Sequence, residues 1–214
     1  RSMTRERRDP IKRPKEEHVD AMIAASPPMF AAVLKVLRYT GLRAEECSTL
    51  EWYQVALNGN RRAINLVRTK TDRPRSLPLD DILTVEAAKV LKDLPRYLHK
   101  KPGGEEEPKP DFIFWHDEGE AYASVSSNFG SIRRRLNAKR KKAGKDQITF
   151  RLHDLRHLFA ITYLERGGNI YRLQNLLGHT SIKTTELYLS YLTHDEAMVA
   201  QFGDGGHVAR RSAQ

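Results

Sequence analysis

Leu176-Leu177-Gly178-His179-Thr180-Ser181-Ile182-Lys183-Thr184-Thr185-Glu186-Leu187-Tyr188 reads as a helix end, a stop at Gly178 and a new helix, with His179 just past the stop and Tyr188 about two turns on. Two upstream segments have the same build, each placing a cation or a titratable group at a helix start. Leu152-His153-Asp154-Leu155-Arg156-His157 sets His153 and Arg156 on one helix face, able to address one anion. Thr40-Gly41-Leu42-Arg43-Ala44-Glu45-Glu46 follows an apolar helix, with Gly41 as its left-handed cap. Each residue alone also has an ordinary structural use. Arg43 suits the carbonyls at the preceding helix end, Glu46 the start of the next helix, and Tyr188, between Leu187 and Leu189, a core position with a tethered hydroxyl. His153 and His157 have the spacing of a metal pair, but no Glu follows His153 and Asp154 is the only adjacent carboxylate, so no metal or other cofactor is expected.

Around these segments lies a chain of 214 residues, enough for one sizeable domain with short appendages. Hydrophobic residues at 39% are too many for a disordered polyelectrolyte, and 37 Lys plus Arg against 27 Asp plus Glu give a formal charge of +10. The excess is clustered. Seven basic residues lie between Arg1 and Lys15, against Glu6 and Asp9; eight lie between Arg133 and Lys145 with no acid among them. A solvated helix face would account for either run, but a polyanion gains affinity from both by counterion release, and nucleic acid is the expected partner. A membrane surface fits less well, because the second run lacks a bulky apolar face. Lys35 and Arg38 interrupt the best apolar run, far short of the roughly 18 residues a span needs. The lone Cys47 excludes an internal disulfide and a multi-cysteine zinc site, and suits a reducing, cytoplasmic location. The opening Arg1-Ser2-Met3, with no apolar segment behind it, reads as a cut or tagged start rather than a secretory signal.

The periodicity predicts helices over Glu16–Ala25, Met29–Tyr39, Ala44–Leu50, Asp80–Leu98 with Asp80 or Asp81 as N-cap, Ser124–Ala143, His153–Arg166, Ile170–Leu177, Ser181–Tyr191 and Asp195–Phe202. Short strands are expected at Trp52–Leu57, Arg61–Arg68 and Arg75–Leu79, the first two joined by the turn Asn58-Gly59-Asn60, and another at Asp111–Trp115. Pro10 and Pro14 keep residues 1–14 an extended basic arm; residues 15–202 form the domain and 203–214 a tail. The class is mainly α with a small antiparallel β-sheet, an α+β arrangement.

In this order and spacing the three segments resemble the catalytic domain of the tyrosine recombinases, the phage integrase and Xer-like site-specific DNA recombinases, over roughly Lys15 to Ala200. The resemblance implies that fold, Arg43 as the first family arginine with Glu46 as its usual acid, His153 and Arg156 as the His-x-x-Arg element, His179, and Tyr188 as nucleophile. It also matches Lys70 to a hairpin lysine, although Arg68, Arg73 and Arg75 crowd the same turn. Implied too are site-specific recombination through a covalent 3′-phosphotyrosyl intermediate, double-stranded DNA with an attachment site as partner, a monomer off DNA, and an accessory directionality factor. On DNA it implies a homotetramer built by passing Asp195–Phe202 to a neighbour. A core-binding domain usually precedes the catalytic one in this family, and here only the arm does. A type IB topoisomerase and a non-enzymatic DNA-binding protein are the rival readings.

The residue set suits the reaction. The transition state carries extra negative charge on non-bridging oxygens, and two guanidiniums, Arg43 and Arg156, can each donate paired hydrogen bonds to it. A phenol with pKa near 10 needs nearby positive charge and a proton acceptor, for which His153 is the expected base, with His179 as a phosphate donor. Lys70 would protonate the leaving 5′ oxygen. Tyr191, one turn on, is the alternative nucleophile. Arg133, Arg134, Arg135, Lys139, Arg140, Lys141 and Lys142 are the expected DNA contacts.

Overall fold

The computed structural model describes residues 11–67, 74–97, 110–122 and 124–203; Lys70, residues 98–109 and residues 204–214 lie outside them. Nine helices appear among the described residues: α1 (Glu16–Ala24), α2 (Pro28–Thr40), α3 (Ala44–Ser48), α4 (Thr84–Lys92), α5 (Val125–Lys142), α6 (Asp154–Glu165), α7 (Ile170–Leu177), α8 (Ile182–Glu186) and α9 (His194–Phe202). The strands β1 (Val55–Ala56), β2 (Ala63–Leu66) and β3 (Arg75–Pro78) form an antiparallel sheet in sequence order, with Ile64 opposite both Val55 and Leu77. A separate pair, β4 (Trp115–His116) and β5 (Glu120–Ala121), makes a small hairpin. The class is mainly helical with small antiparallel sheets, as its patterning implies. Among the described residues no helix is long and apolar enough to cross a membrane.

Helix α6 is the axis of the molecule. Leu155, Leu158, Phe159, Ala160, Ile161, Tyr163 and Leu164 are all buried, so apolar residues wrap it on nearly every side. Helices α2, α7 and α9 and the segment Leu187–Tyr191 pack around it. Helix α2 starts with Pro28 at its first position and turns Phe30, Val33, Leu34 and Leu37 into the core. It ends at Gly41, whose φ of 63° lies in the left-handed region and whose N–H donates to the Leu37 carbonyl. A Cβ at 41 would lie 2.4 Å from Phe159 Cδ1 and 2.9 Å from Leu177 Cδ2. Gly41→Ala is therefore expected to lower stability by about 2–4 kcal/mol, combining left-handed strain with overpacking, and a urea unfolding curve reads it directly.

Several boundaries differ from the periodicity. Helix α4 begins at Thr84, not Asp80, because the Asp81 carboxylate is engaged elsewhere: Oδ2 accepts from Tyr163 Oη at 3.1 Å and from Arg172 Nε at 2.7 Å. It also stops at Lys92, short of Leu98. The expected strand at Trp52–Leu57 shrinks to Val55–Ala56, since Trp52–Gln54 is a 3₁₀ turn closed by Glu51 N–H donating to the Gln54 side chain. The strand expected at Asp111–Trp115 leaves only an isolated bridge from Phe112 to Glu51, ahead of β4. The helix expected over Ser181–Tyr191 divides into α8 and a 3₁₀ segment, Leu187–Tyr191, that carries Tyr188.

The chain enters the domain pinned at two points. Arg13 forms a two-pronged ion pair with Glu165 at the end of α6, with Nη2 to Oε2 at 2.9 Å. Tyr191 Oη donates to the Ile11 carbonyl at 2.9 Å.

Candidate active site

Glu46 is the centre around which the site is built. Its side chain is 5% exposed and accepts four hydrogen bonds. Two come from Arg43, the N-cap of α3, through its backbone N–H (2.9 Å) and Nη1 (2.8 Å). Two come from Arg75 on β3, Nη1 to Oε1 at 3.0 Å and Nη2 to Oε2 at 2.8 Å. Burial alone would push this carboxyl up, but the Arg75 fork and the Arg43 donors outweigh it and hold it at about 2. Gly178 makes room for Arg75, because a Cβ there would lie 2.8 Å from Arg75 Nη1. Strand alternation sets Arg75 on the same face as the buried Leu77, which is the signal in the sequence that it points inward.

Arg156 sits in the first turn of α6 and is 4% exposed. Its Nη1 donates to the Gly41 carbonyl and its Nη2 to the Leu177 carbonyl, both at 2.6 Å. The helix-end carbonyl task open to Arg43 thus falls to Arg156, which ties α2 and α7 to α6. Arg43 is left facing a cavity of about 280 Å³ lined also by Ala44, Glu45, Ser126, His153 and Arg156. Burial and the neighbouring Arg43 charge lower Arg156 to about 10, so it stays charged at neutral pH.

His153, on the wall of that cavity, is linked through His157 to the tyrosine. The His153 ring meets the His157 ring edge to face, centroids 4.9 Å apart, and His157 Nδ1 lies 3.0 Å from Tyr188 Oη. One helical turn separates the two histidines, and in this structure it is the second, His157, that reaches the phenol. Tyr188 is 3% exposed, and burial raises its pKa against the pull of Arg156. His179, just past α7, holds Thr185 Oγ1 at 2.9 Å through Nδ1. The structure thus brings together Arg43, Glu46, His153, Arg156, His179 and Tyr188, and adds Arg75 and His157, which residue spacing had not marked as working parts of one site. Lys70 lies outside the described residues.

The basic helix α5 divides by use. Arg133 donates to the Phe150 carbonyl at 2.6 Å and Arg140 to the Asp146 carbonyl at 2.6 Å, so both pin the 146–150 segment. Arg134, Arg135, Lys139, Lys141 and Lys142 are exposed. Tyr191 is 39% exposed and its hydroxyl is held by Ile11.

All three imidazoles are pushed below their ordinary value of 6.5. Burial is the first cause for each, followed for His153 and His179 by Arg156 and for His157 by His153; His157 falls to about 4 and His179 to about 3. Between pH 6.5 and these values the unfolded chain binds protons that the folded chain refuses, so stability rises with pH there and is lost on acidification. His157 and His179 should each remove on the order of 1 kcal/mol between pH 7 and 5. Glu46 adds a separate loss as pH falls from about 4.5 toward 2. Calorimetry at pH 7 and 5 checks the first window; an unmoved thermal midpoint would contradict imidazoles that the fold holds neutral.

The phage integrase family model matches residues 13–194. Tyrosine recombinase XerD of Listeria monocytogenes is 30% identical over 160 residues, covering 73% of this chain and 48% of that protein. The chain thus spans about half the length of the curated relatives it matches. The catalytic domain of bacteriophage HP1 integrase superposes with a TM-score of 0.60 at 23% identity, covering 94% of this chain and 100% of that one. The Tn1549 transposon integrase, in complex with a circular intermediate DNA, gives 0.64 at 19% identity, covering 89% and 65%.

Proposed function

Because the chain belongs to the phage integrase family, we propose that it cuts and rejoins duplex DNA at a specific site through a covalent 3′-phosphotyrosine on Tyr188. One observation carries this reading: Tyr188 Oη is hydrogen-bonded to His157, the neighbour in the chain of Arg156, which lines the open cavity with Arg43 and His153. The cavity takes the scissile phosphate. Arg43 and Arg156 face its non-bridging oxygens, where negative charge builds in the transition state, with His153 and His179 as further donors. Glu46 keeps Arg43 in place and separates it electrostatically from Arg75. Lys70 protonates the leaving 5′ oxygen. The phosphotyrosyl bond conserves the energy of the broken linkage, so a second strand's 5′ hydroxyl reseals it without another energy source.

DNA follows α5. Ser126, in its first turn, lines the cavity, and the exposed cations Arg134, Arg135, Lys139, Lys141 and Lys142 continue from there over about 24 Å of helix. A tetramer on DNA fits the same reading: α9 would leave its place against α6 and α7, where Ala200 is buried, and dock on a neighbour. Incubation with a nicked duplex carrying the attachment site traps the adduct, because the short cut strand diffuses away and cannot reseal. A protein–DNA species stable to denaturing gel electrophoresis supports the reading. Its absence, with the duplex demonstrably bound, would point to the binding-only alternative.

A further inference from the structure

We propose that His157, rather than His153, accepts the phenolic proton of Tyr188 when the tyrosine attacks DNA. The inference rests on Tyr188 being the nucleophile. Among the described residues, His157 Nδ1 is the only group hydrogen-bonded to the Tyr188 hydroxyl, at 3.0 Å, and the two rings stand 5.8 Å apart. His153 lines the cavity and its ring meets that of His157, but among the described residues no hydrogen bond joins it to the phenol. His153 and His157 are one turn apart on α6, whose first turn Arg156 anchors to two other helices, so the histidine positions are set by the rigid centre of the fold.

The resting state is inert for a physical reason. His157 is neutral and offers a lone pair, since partial burial and the neighbouring His153 and Arg156 disfavour its protonation more than Asp154 favours it. Tyr188 keeps its proton because burial raises the phenol. A weak base facing a weaker acid transfers nothing. An arriving phosphate brings negative charge beside Arg43, Arg156 and His153 and offsets the cations that hold His157 down. As the tyrosine oxygen bonds to phosphorus its basicity collapses, and the proton becomes transferable only in the course of attack. In that step the O–P bond to Tyr188 forms and its proton moves to His157 Nδ1. The P–O5′ bond breaks, and the 5′ oxygen takes a proton from Lys70 or from solvent. During rejoining, His157 returns the proton to the departing phenol.

The test measures adduct formation on the nicked duplex for the whole chain, for Tyr188→Phe and for His157→Ala, with His157→Gln as a bulkier second variant and circular dichroism to show that each folds. Tyr188→Phe should give no adduct; an adduct in that variant would overturn the nucleophile assignment and this proposal with it. His157→Ala should bind duplex within about twofold of the parent yet form adduct about 10²- to 10⁴-fold more slowly. Added imidazoles should restore the rate, more strongly as their pKa rises, which a packing role could not produce. With Tyr188→Phe silent, a His157→Ala rate equal to or above the parent's overturns the proposal and makes the contact a resting anchor. Slowing that no imidazole relieves, in either variant, overturns it in favour of packing.

Discussion

Tyr188→Phe should leave duplex affinity unchanged and remove the covalent protein–DNA species entirely. The substitution takes away one oxygen. The ring keeps its buried place beside α6, and the loss to the fold is the single hydrogen bond to His157, about 1 kcal/mol. The cavity beside Arg43 keeps its shape, because Arg43 and Arg156 hold their own partners without the phenol. Binding and chemistry therefore separate cleanly in this variant. Tyr191 supplies the control: its hydroxyl is committed to the Ile11 carbonyl, so Tyr191→Phe should still form adduct, and peptide mapping should place the DNA on Tyr188. An adduct on Tyr191 would reverse the two assignments.

Arg43→Ala and Arg156→Ala should each slow cleavage by about 10³-fold or more while weakening duplex binding far less, since each removes a preorganised donor from the charge expected to develop on the non-bridging oxygens. The two differ in what else they disturb. The Arg43 side chain is 23% exposed and its partner Glu46 keeps the Arg75 fork, so Arg43→Ala should fold normally. Arg156→Ala strips the Gly41 and Leu177 carbonyls of their donor and opens a void in the centre, so it should also lose about 3 kcal/mol or more of stability. Adduct kinetics, a binding titration and a urea curve on both variants give the comparison. Equal losses of binding and cleavage in Arg43→Ala would make the cavity a phosphate-holding site and no more.

The helices that carry the site were readable because local chemistry sets them. Gly41 and Gly178 stop α2 and α7 where backbone with positive φ is needed, and apolar spacing fixes α5, α6 and α9 to within a residue or two. What escaped depends on contacts across the chain. Asp81 looked like a helix cap until Tyr163 and Arg172 claimed its carboxylate. The β4–β5 hairpin rests on a tight turn in which Asp117 and Gly119 both have positive φ, too short a unit for periodicity to reveal. In the site, the motif residues were legible one by one, but Arg75 acquires its meaning only from Glu46, which lies 29 positions away. His157 stood next to Arg156 in the sequence, and its bond to Tyr188 follows from how α6 meets the 3₁₀ segment, which no spacing rule reports.

The phenol at 188 and the hydroxyl that grips Ile11 belong to the same five-residue turn. That turn is bonded to His157 near one end and to the incoming chain at the other. A displacement of residues 11–13 would thus reach the chain at Tyr191, three positions from Tyr188.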